Sequence, residues 1–428
     1  MESLPTSSHG LSGVDVRLCR GEVLAALAKV LDYRPTPQMP HHGRVAALAA
    51  QMASRLRSSD RRNTFYAGLV HDIGLLDDQP DFTHPANLAA QANSPLMRSH
   101  PLTGAQMVAT VPGLYGIAEI ILDHHEWTNG HGYPRGKGGS EIGVGAQILR
   151  FADTCDFVLR EQDSAEWVAF IEAVRKRTAA QVSPIVVDAG IKVLGEPGFY
   201  TQLLTAAEVQ FLVQSKISRL CADDFATTDS EVTGLLELFA NVIDTHPLDK
   251  IGHSRRVANL AILVAMAVGL PPEDIVKVKW AALLHDLGAI SVPKSLLNEP
   301  RLLTPDELAE VRRHTGRTQE FLADVSGLEE VAAIASCHGE AFDGSGYPQG
   351  LTGYEIPVGS RIIAVCDTFD ALTSQRPFRD ARDTGLAVDI LVRGSGSVFD
   401  PEVVSAAVPV LLISQTAEEP NLAGLPPQ

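Results

Sequence analysis

Cysteine is scarce in this chain, cationic side chains are outnumbered, and no apolar run is long. The five cysteines, Cys19, Cys155, Cys221, Cys337 and Cys366, stand far apart with no metal-binding or disulfide spacing. That argues against a thiolate metal cage and a disulfide framework, and reads them as reduced, mostly buried small hydrophobes. Lysine and arginine number 35 against 52 acidic residues, a net charge of −17. Broad binding to DNA rests on cations neutralising phosphates and is disfavoured, although a local basic cluster can still hold a small anion. The longest apolar run, LAILVAMAVGL from Leu260, is too short to span a bilayer, and the opening MESLPTSSHGLSG has no basic region ahead of an apolar core. The expectation is a soluble, cytoplasmic protein without a membrane partner. What the chain does have is a length of 428 residues and 45% apolar content, sufficient for two hydrophobic cores.

It also repeats itself. DHHEWTNGHGYPRG, from Asp123, has a near-copy in SCHGEAFDGSGYPQG, from Ser336. His71-Asp72 in GLVHDIG and His285-Asp286 in ALLHDLG are 214 residues apart, and the same offset relates His100 to His314, His124 to His338 and Asp153 to Asp367. His41 in HHGRVA and His253 in HSRRVA are offset by 212, and the two-residue difference falls in the loop ahead of the His-Asp element. One position breaks the pattern: where the first copy has His125, the second has Gly339.

The periodicity is helical nearly throughout. Val45, Leu48, Ala49, Met52 and Leu56 follow His41 at helical spacing, and Val257, Leu260, Ala261, Val264 and Val268 follow His253. Each His-Asp pair ends a helix, stopped by Gly74 or Gly288, and a third helix carries Asp153 or Asp367. The glycine-rich Gly-Tyr-Pro segments are loops. The fold class is all-α, with one domain at 13–204, a second at 228–412, and a helical connector, TAAEVQFLVQSKISRLC, between them. The tails, 1–12 and 414–428, are disordered by composition.

In each repeat the ionisable residues run His, His-Asp, His, His, Asp, spaced 30, 29, 24 and 29 residues in the first copy and 32, 29, 24 and 29 in the second. Imidazole and carboxylate donors together suit a divalent transition metal such as Fe, Mn or Zn, and helices side by side can converge them on one point. A single such histidine would read as a helix cap or core residue. Matching spacing in both halves favours a site.

At these residues the chain resembles the HD-GYP family, a branch of the HD phosphohydrolases. The second copy adds CDTFDALTSQRPFR from Cys366 and GSGSVFDPEVV from Gly394, similar to later motifs of that family. The resemblance implies a helical metal-dependent phosphodiesterase that opens a cyclic dinucleotide, cyclic di-GMP or cyclic GMP-AMP, to a linear product. It implies metal ligands His41, His71, Asp72, His100, His124, His125 and Asp153 in the first copy. In the second these are His253, His285, Asp286, His314, His338 and Asp367, with Gly339 in place of one ligand. Asp72 and Asp286 would bridge ions, Fe or Mn, two in the first domain and one or two in the second. Tyr133 and Tyr347 would stack on or bond to a substrate base, or simply pack a tight turn.

Departures from the family pattern divide the two copies. Leu75 and Ala289 stand where the family has a phosphate-gripping Lys. Members with a third metal carry a Glu where this chain has Pro37 or Asp249. Arg376 and Arg379 occupy phosphate-binding positions in the second copy, against Gln162 and Ala165 in the first. The first copy thus has the fuller metal set and the second the better phosphate clamp. A catalytically degenerate module that binds a nucleotide or a signalling protein is the competing reading, and a homodimer is compatible with either.

Overall fold

The computed structural model describes residues 17–33, 40–75, 94–161, 166–245, 251–297, 299, 301–375 and 381–414. The expectations for the tails, and for Pro37, Asp249, Gln162, Ala165, Arg376 and Arg379, fall outside these residues.

Helices dominate because apolar residues recur every three to four positions and bury one face. In the first repeat the order is α1 (Arg20–Leu31), α2 (His41–Arg55), α3 (Arg61–Val70), α4 (Pro95–Ala109), α5 (Tyr115–Asp123) and α6 (Val144–Glu161). There follow α7 (Trp167–Thr178), α8 (Pro184–Leu194) and α9 (Ala206–Leu220). The second repeat runs through α10 (Asp229–Asp244), α11 (His253–Val268), α12 (Pro272–Leu284), α13 (Pro305–Arg312), α14 (His314–Leu322), α15 (Glu329–Ser336), α16 (Val358–Thr373), α17 (Thr384–Arg393) and α18 (Pro401–Ser414). Among the described residues the only strands are Leu18–Cys19 and Phe225–Ala226, two antiparallel residues each.

Among the described residues the chain divides into two compact units, 17–238 with Asp324–Gly327, and Phe239–Ala323 with 328–414. In the amino-terminal unit α2 is the central helix, and Val45, Leu48, Ala49 and Met52 are all buried. α3 lies directly on it: a Cβ added at Gly68 would stand 2.6 Å from the Ala46 Cα, so only glycine permits that approach. The connector helix α9 is part of this unit. Its Val209, Leu212, Val213 and Ile217 are buried, and Val209 and Val213 face α2 at Gly43. In the carboxy-terminal unit α11 takes the central place, with Val257, Ala261 and Val264 buried. All five cysteines are free and buried. No helix among the described residues is long and apolar enough to cross a membrane.

Candidate metal centres

Helix ends carry the ionisable residues. His41 opens α2 and His253 opens α11, while His71 and His285 cap the ends of α3 and α12. His124 caps α5, His314 opens α14, and Asp153 and Asp367 lie within α6 and α16. The glycine after each His-Asp pair does more than stop a helix. A Cβ on Gly74 would sit 2.2 Å from the His100 carbonyl oxygen, and one on Gly288 1.9 Å from that of His314. The His-Asp turn therefore lies against the backbone that carries the next histidine.

Most of the histidines are oriented alike. The Nδ1–H of His71 donates to the Gly68 carbonyl at 3.2 Å, that of His100 to Met97 at 2.9 Å and that of His124 to Ile121 at 2.5 Å. His285, His314 and His338 donate to Ala282, Val311 and Ala335 at 2.8, 2.7 and 2.7 Å. His41 and His253 donate instead to buried carboxylates, Asp156 at 2.6 Å and Asp370 at 2.8 Å. With Nδ1 bonded outward, the Nε2 atom of each of these rings faces the centre. These atoms meet in pairs: His41 with His71 at 3.1 Å, His100 with His124 at 3.2 Å, and His314 with His338 at 3.2 Å. Two imidazole lone pairs at that distance require an electrophile between them, a proton or a metal ion.

Asp72 stands between the two pairs. Its Oδ2 faces His41 and His71 at 3.5 Å each, and its Oδ1 faces His100 at 3.2 Å and His124 at 3.8 Å. Asp286 repeats the arrangement, Oδ2 toward His253 and His285 at 4.0 and 3.7 Å, Oδ1 toward His314 and His338 at 3.6 and 3.9 Å. Each carboxylate thus offers one oxygen to each of two donor groups, which fits a pair of divalent cations. Burial would raise the Asp72 carboxyl pKa, but His71, His100 and His41 hold it well below the carboxylate range. Burial opposes charge on His41, yet the Asp156 carboxylate carries it up to about 10, whereas burial pushes His71 down to about 4.

The two units differ at the last ligand positions. In the carboxy-terminal unit Asp367 joins His253 at 3.3 Å and His285 at 3.9 Å. In the amino-terminal unit Asp153 lies 4.0 Å from His41, and its other oxygen accepts a bond from Arg150 at 3.0 Å. Arg150 also reaches His125 Nδ1 at 3.1 Å. A guanidinium only donates, so that nitrogen is the acceptor and its lone pair is occupied. The first set is therefore complete in residue type, but Arg150 engages two of its members. The counterpart of Arg150 is Ala364. In the second unit the volume of the missing histidine is not empty: a Cβ on Gly339 would lie 2.6 Å from the Tyr347 ring.

The Gly-Tyr-Pro loops fold back onto these positions. Tyr133 N–H donates to the His125 carbonyl and Tyr347 N–H to that of Gly339, both at 3.1 Å. Buried Glu126 and Glu340 accept loop amides, from Arg135 at 2.5 Å and from Gln349 at 2.7 Å. Tyr133 stacks on His125 with centroids 4.7 Å apart, while Tyr347 turns edge-on to His314 at 6.2 Å.

Asp156, Asp370 and Arg150 escaped the sequence reading. Asp156 and Asp370 obey the same offset of 214, three positions after Asp153 and Asp367, and that signal was available. Arg150 had none, since it does not repeat.

An HD domain model matches the chain twice, at residues 25–174 and 237–403. The chain belongs to the HD domain family. Its two units are HD domains in tandem, of the HD-GYP type that the motifs indicate. It is 27% identical over 311 residues to the 3'3'-cGAMP-specific phosphodiesterase 3 of Vibrio cholerae, covering 73% of this chain and 66% of that one. To the 3'3'-cGAMP-specific phosphodiesterase 1 of the same organism it is 25% identical over 85% of each chain. To the cyclic di-GMP phosphodiesterase response regulator RpfG of Xanthomonas campestris it is 42% identical, over 35% of this chain and 40% of the relative. The solved structure of a V. cholerae cyclic GMP-AMP-specific phosphodiesterase, V-cGAP3, superposes with a TM-score of 0.64 over 93% of this chain and 98% of that one, at 21% identity, and shares the fold.

Proposed function

We propose that this chain is a metal-dependent phosphodiesterase that hydrolyses a cyclic dinucleotide, cyclic di-GMP or 3'3'-cyclic GMP-AMP, to a linear product in the cytoplasm. The observation that carries it is the carboxylate of Asp72, and again of Asp286, with one oxygen toward each of two histidine pairs. Divalent cations bound there supply positive charge that lowers the pKa of an attacking water and offsets the charge of the phosphodiester oxygens. The mixed imidazole and carboxylate donors suit Fe or Mn, two ions in the amino-terminal unit and one or two in the other.

The protein's own part is positioning. Carbonyl oxygens, Asp156 and Asp370 fix the imidazoles with Nε2 inward, so little reorganisation accompanies binding. Tyr133, with His125 stacked on it and the Arg98 guanidinium over its ring, and Tyr347, with the Arg312 guanidinium over its ring, are the loop residues that would meet a substrate base, edge-on or through the hydroxyl. Arg376 and Arg379 grip phosphate in the carboxy-terminal unit, a role Arg suits through paired donors.

The test is turnover of both cyclic dinucleotides by Mn2+-loaded chain, with products resolved by chromatography. Linear dinucleotide should appear and should vanish after chelation. A metal-loaded chain that binds nucleotide without cleaving it would instead establish the binding-module reading, which the Tyr347 ring at Gly339 favours for the carboxy-terminal unit.

A further inference from the structure

Next to His41 stands a second histidine that the HD-GYP pattern does not use. His42 is buried, and its Nε2 makes no hydrogen bond. Its Nδ1–H donates to Asp32 Oδ1 at 2.6 Å, and the same carboxylate accepts the His42 backbone N–H at 3.1 and 3.2 Å. The imidazole is thus held on one side by a carboxylate, and its lone pair faces away from it. The ring sits among other donors: one ring nitrogen from each of His41, His42 and His71 lies within 4.8 Å of the others. The ring centroids of His42 stand 4.9 Å from His41 and 5.1 Å from His71.

The second unit supplies an internal control. There the residue after His253 is Ser254, and Asp244 takes the place of Asp32. Ser254 Oγ donates to Asp244 at 2.6 Å and its N–H at 3.2 Å, so the helix start is satisfied in the same way. A serine is therefore enough to hold this helix end, and it leaves no buried nitrogen over. The surplus imidazole appears only in the unit whose last carboxylate is diverted. Asp153 is bonded to Arg150, whereas Asp367 closes a group with His253 and His285.

We propose that His42 is a metal ligand of the amino-terminal unit, taking the place beside His41 and His71 that Asp367 takes in the other unit, with Asp32 as its positioning residue. This rests on the metal-centre reading above. The exchange replaces a carboxylate by a neutral imidazole and leaves Asp153 to neutralise Arg150. The resulting first site has more nitrogen and less negative charge than its twin, which suits a borderline cation over a hard one.

The probe is Co2+ bound to the full chain, read by proton NMR and by the number and affinity of sites. Ligation through Nε2 leaves the His42 Nδ1–H, bonded to Asp32, close to a paramagnetic ion as a strongly shifted exchangeable resonance. His42→Ser, which copies Ser254, should remove one such resonance and weaken one class of Co2+ site at least about tenfold. Asp32→Asn should move that resonance and weaken the same site by about ten- to a hundredfold, the usual range for the partner behind a ligand. Circular dichroism checks that each variant folds, and Asp32→Asn reads the same proton should His42→Ser fail to. A chain that takes up no Co2+ overturns the metal-centre reading itself. A chain that takes up Co2+ but keeps every shifted resonance and its affinities in both variants overturns the assignment of His42 alone.

Discussion

At the scale of single residues, two substitutions between the repeats change the chemistry more than the loss of a ligand suggests. Arg150 sets a permanent positive charge beside His125 and Asp153. Like charges a few ångströms apart repel by several kcal/mol at intermediate dielectric, on the order of 4 kcal/mol at 4 Å. Arg150→Ala, which copies Ala364, should therefore tighten cation binding in the amino-terminal unit at least about tenfold, as a metal titration would register. Unchanged affinity would mean that the guanidinium swings clear when metal binds. Gly339 poses the opposite case. Restoring the histidine by Gly339→His should add no metal, because Tyr347 fills the space. Overpacking of this kind costs about 1–3 kcal/mol, visible as a lower melting temperature. Trimming the ring as well, Gly339→His with Tyr347→Ala, should recover stability and gain metal affinity together.

Elements place the donors through backbone contact as much as through side chains. Gly288 lets the turn after α12 lie on the carbonyl of His314, the first residue of α14, and its N–H is taken by Thr318 at 2.9 Å. Gly288→Ala must push the turn and α14 apart. Its expected cost is at least about 1–3 kcal/mol in urea unfolding, together with loss of metal from the Asp286, His314 and His338 group, because the helix and the carboxylate separate. Gly316, half-buried but with nothing within 4 Å of an added Cβ, provides the control and should tolerate alanine. The loops follow the same principle. Gly132 and Gly346 pass within 2.3 and 2.1 Å of backbone nitrogens if given a Cβ, so the glycine of each Gly-Tyr-Pro segment serves the turn, and the tyrosine is what the turn presents.

Over the whole molecule, two metal sets of unequal make-up share one chain. Asp72→Asn and Asp286→Asn each remove the charge that faces both histidine pairs of one unit, and each should lower the bound metal measured by elemental analysis, with the double variant taking up none. Dialysis against a chelator should empty the carboxy-terminal unit first, since it has one imidazole fewer and its Asp367 is a third exposed, at 33%. Metal that left both units in a single step would show that the sets are equivalent despite Gly339 and Arg150.

The sequence by itself determined the helical class, the duplication and the order of the ionisable residues, because a helix is written in local periodicity and a duplicated site in a constant offset. His41, His71 and Asp153, with their counterparts His253, His285 and Asp367, could be named before any coordinates. The supporting carboxylates Asp156 and Asp370 were legible in the same offset. What only the tertiary structure decided concerns residues that do not repeat. Arg150 and His42 show no pattern along the chain, and whether a guanidinium or a spare imidazole enters a site depends on how α6 and α2 turn toward it. The fate of the Gly339 position was equally hidden. A missing side chain leaves a volume, and which neighbour fills it is fixed by packing, here by a tyrosine eight residues further on.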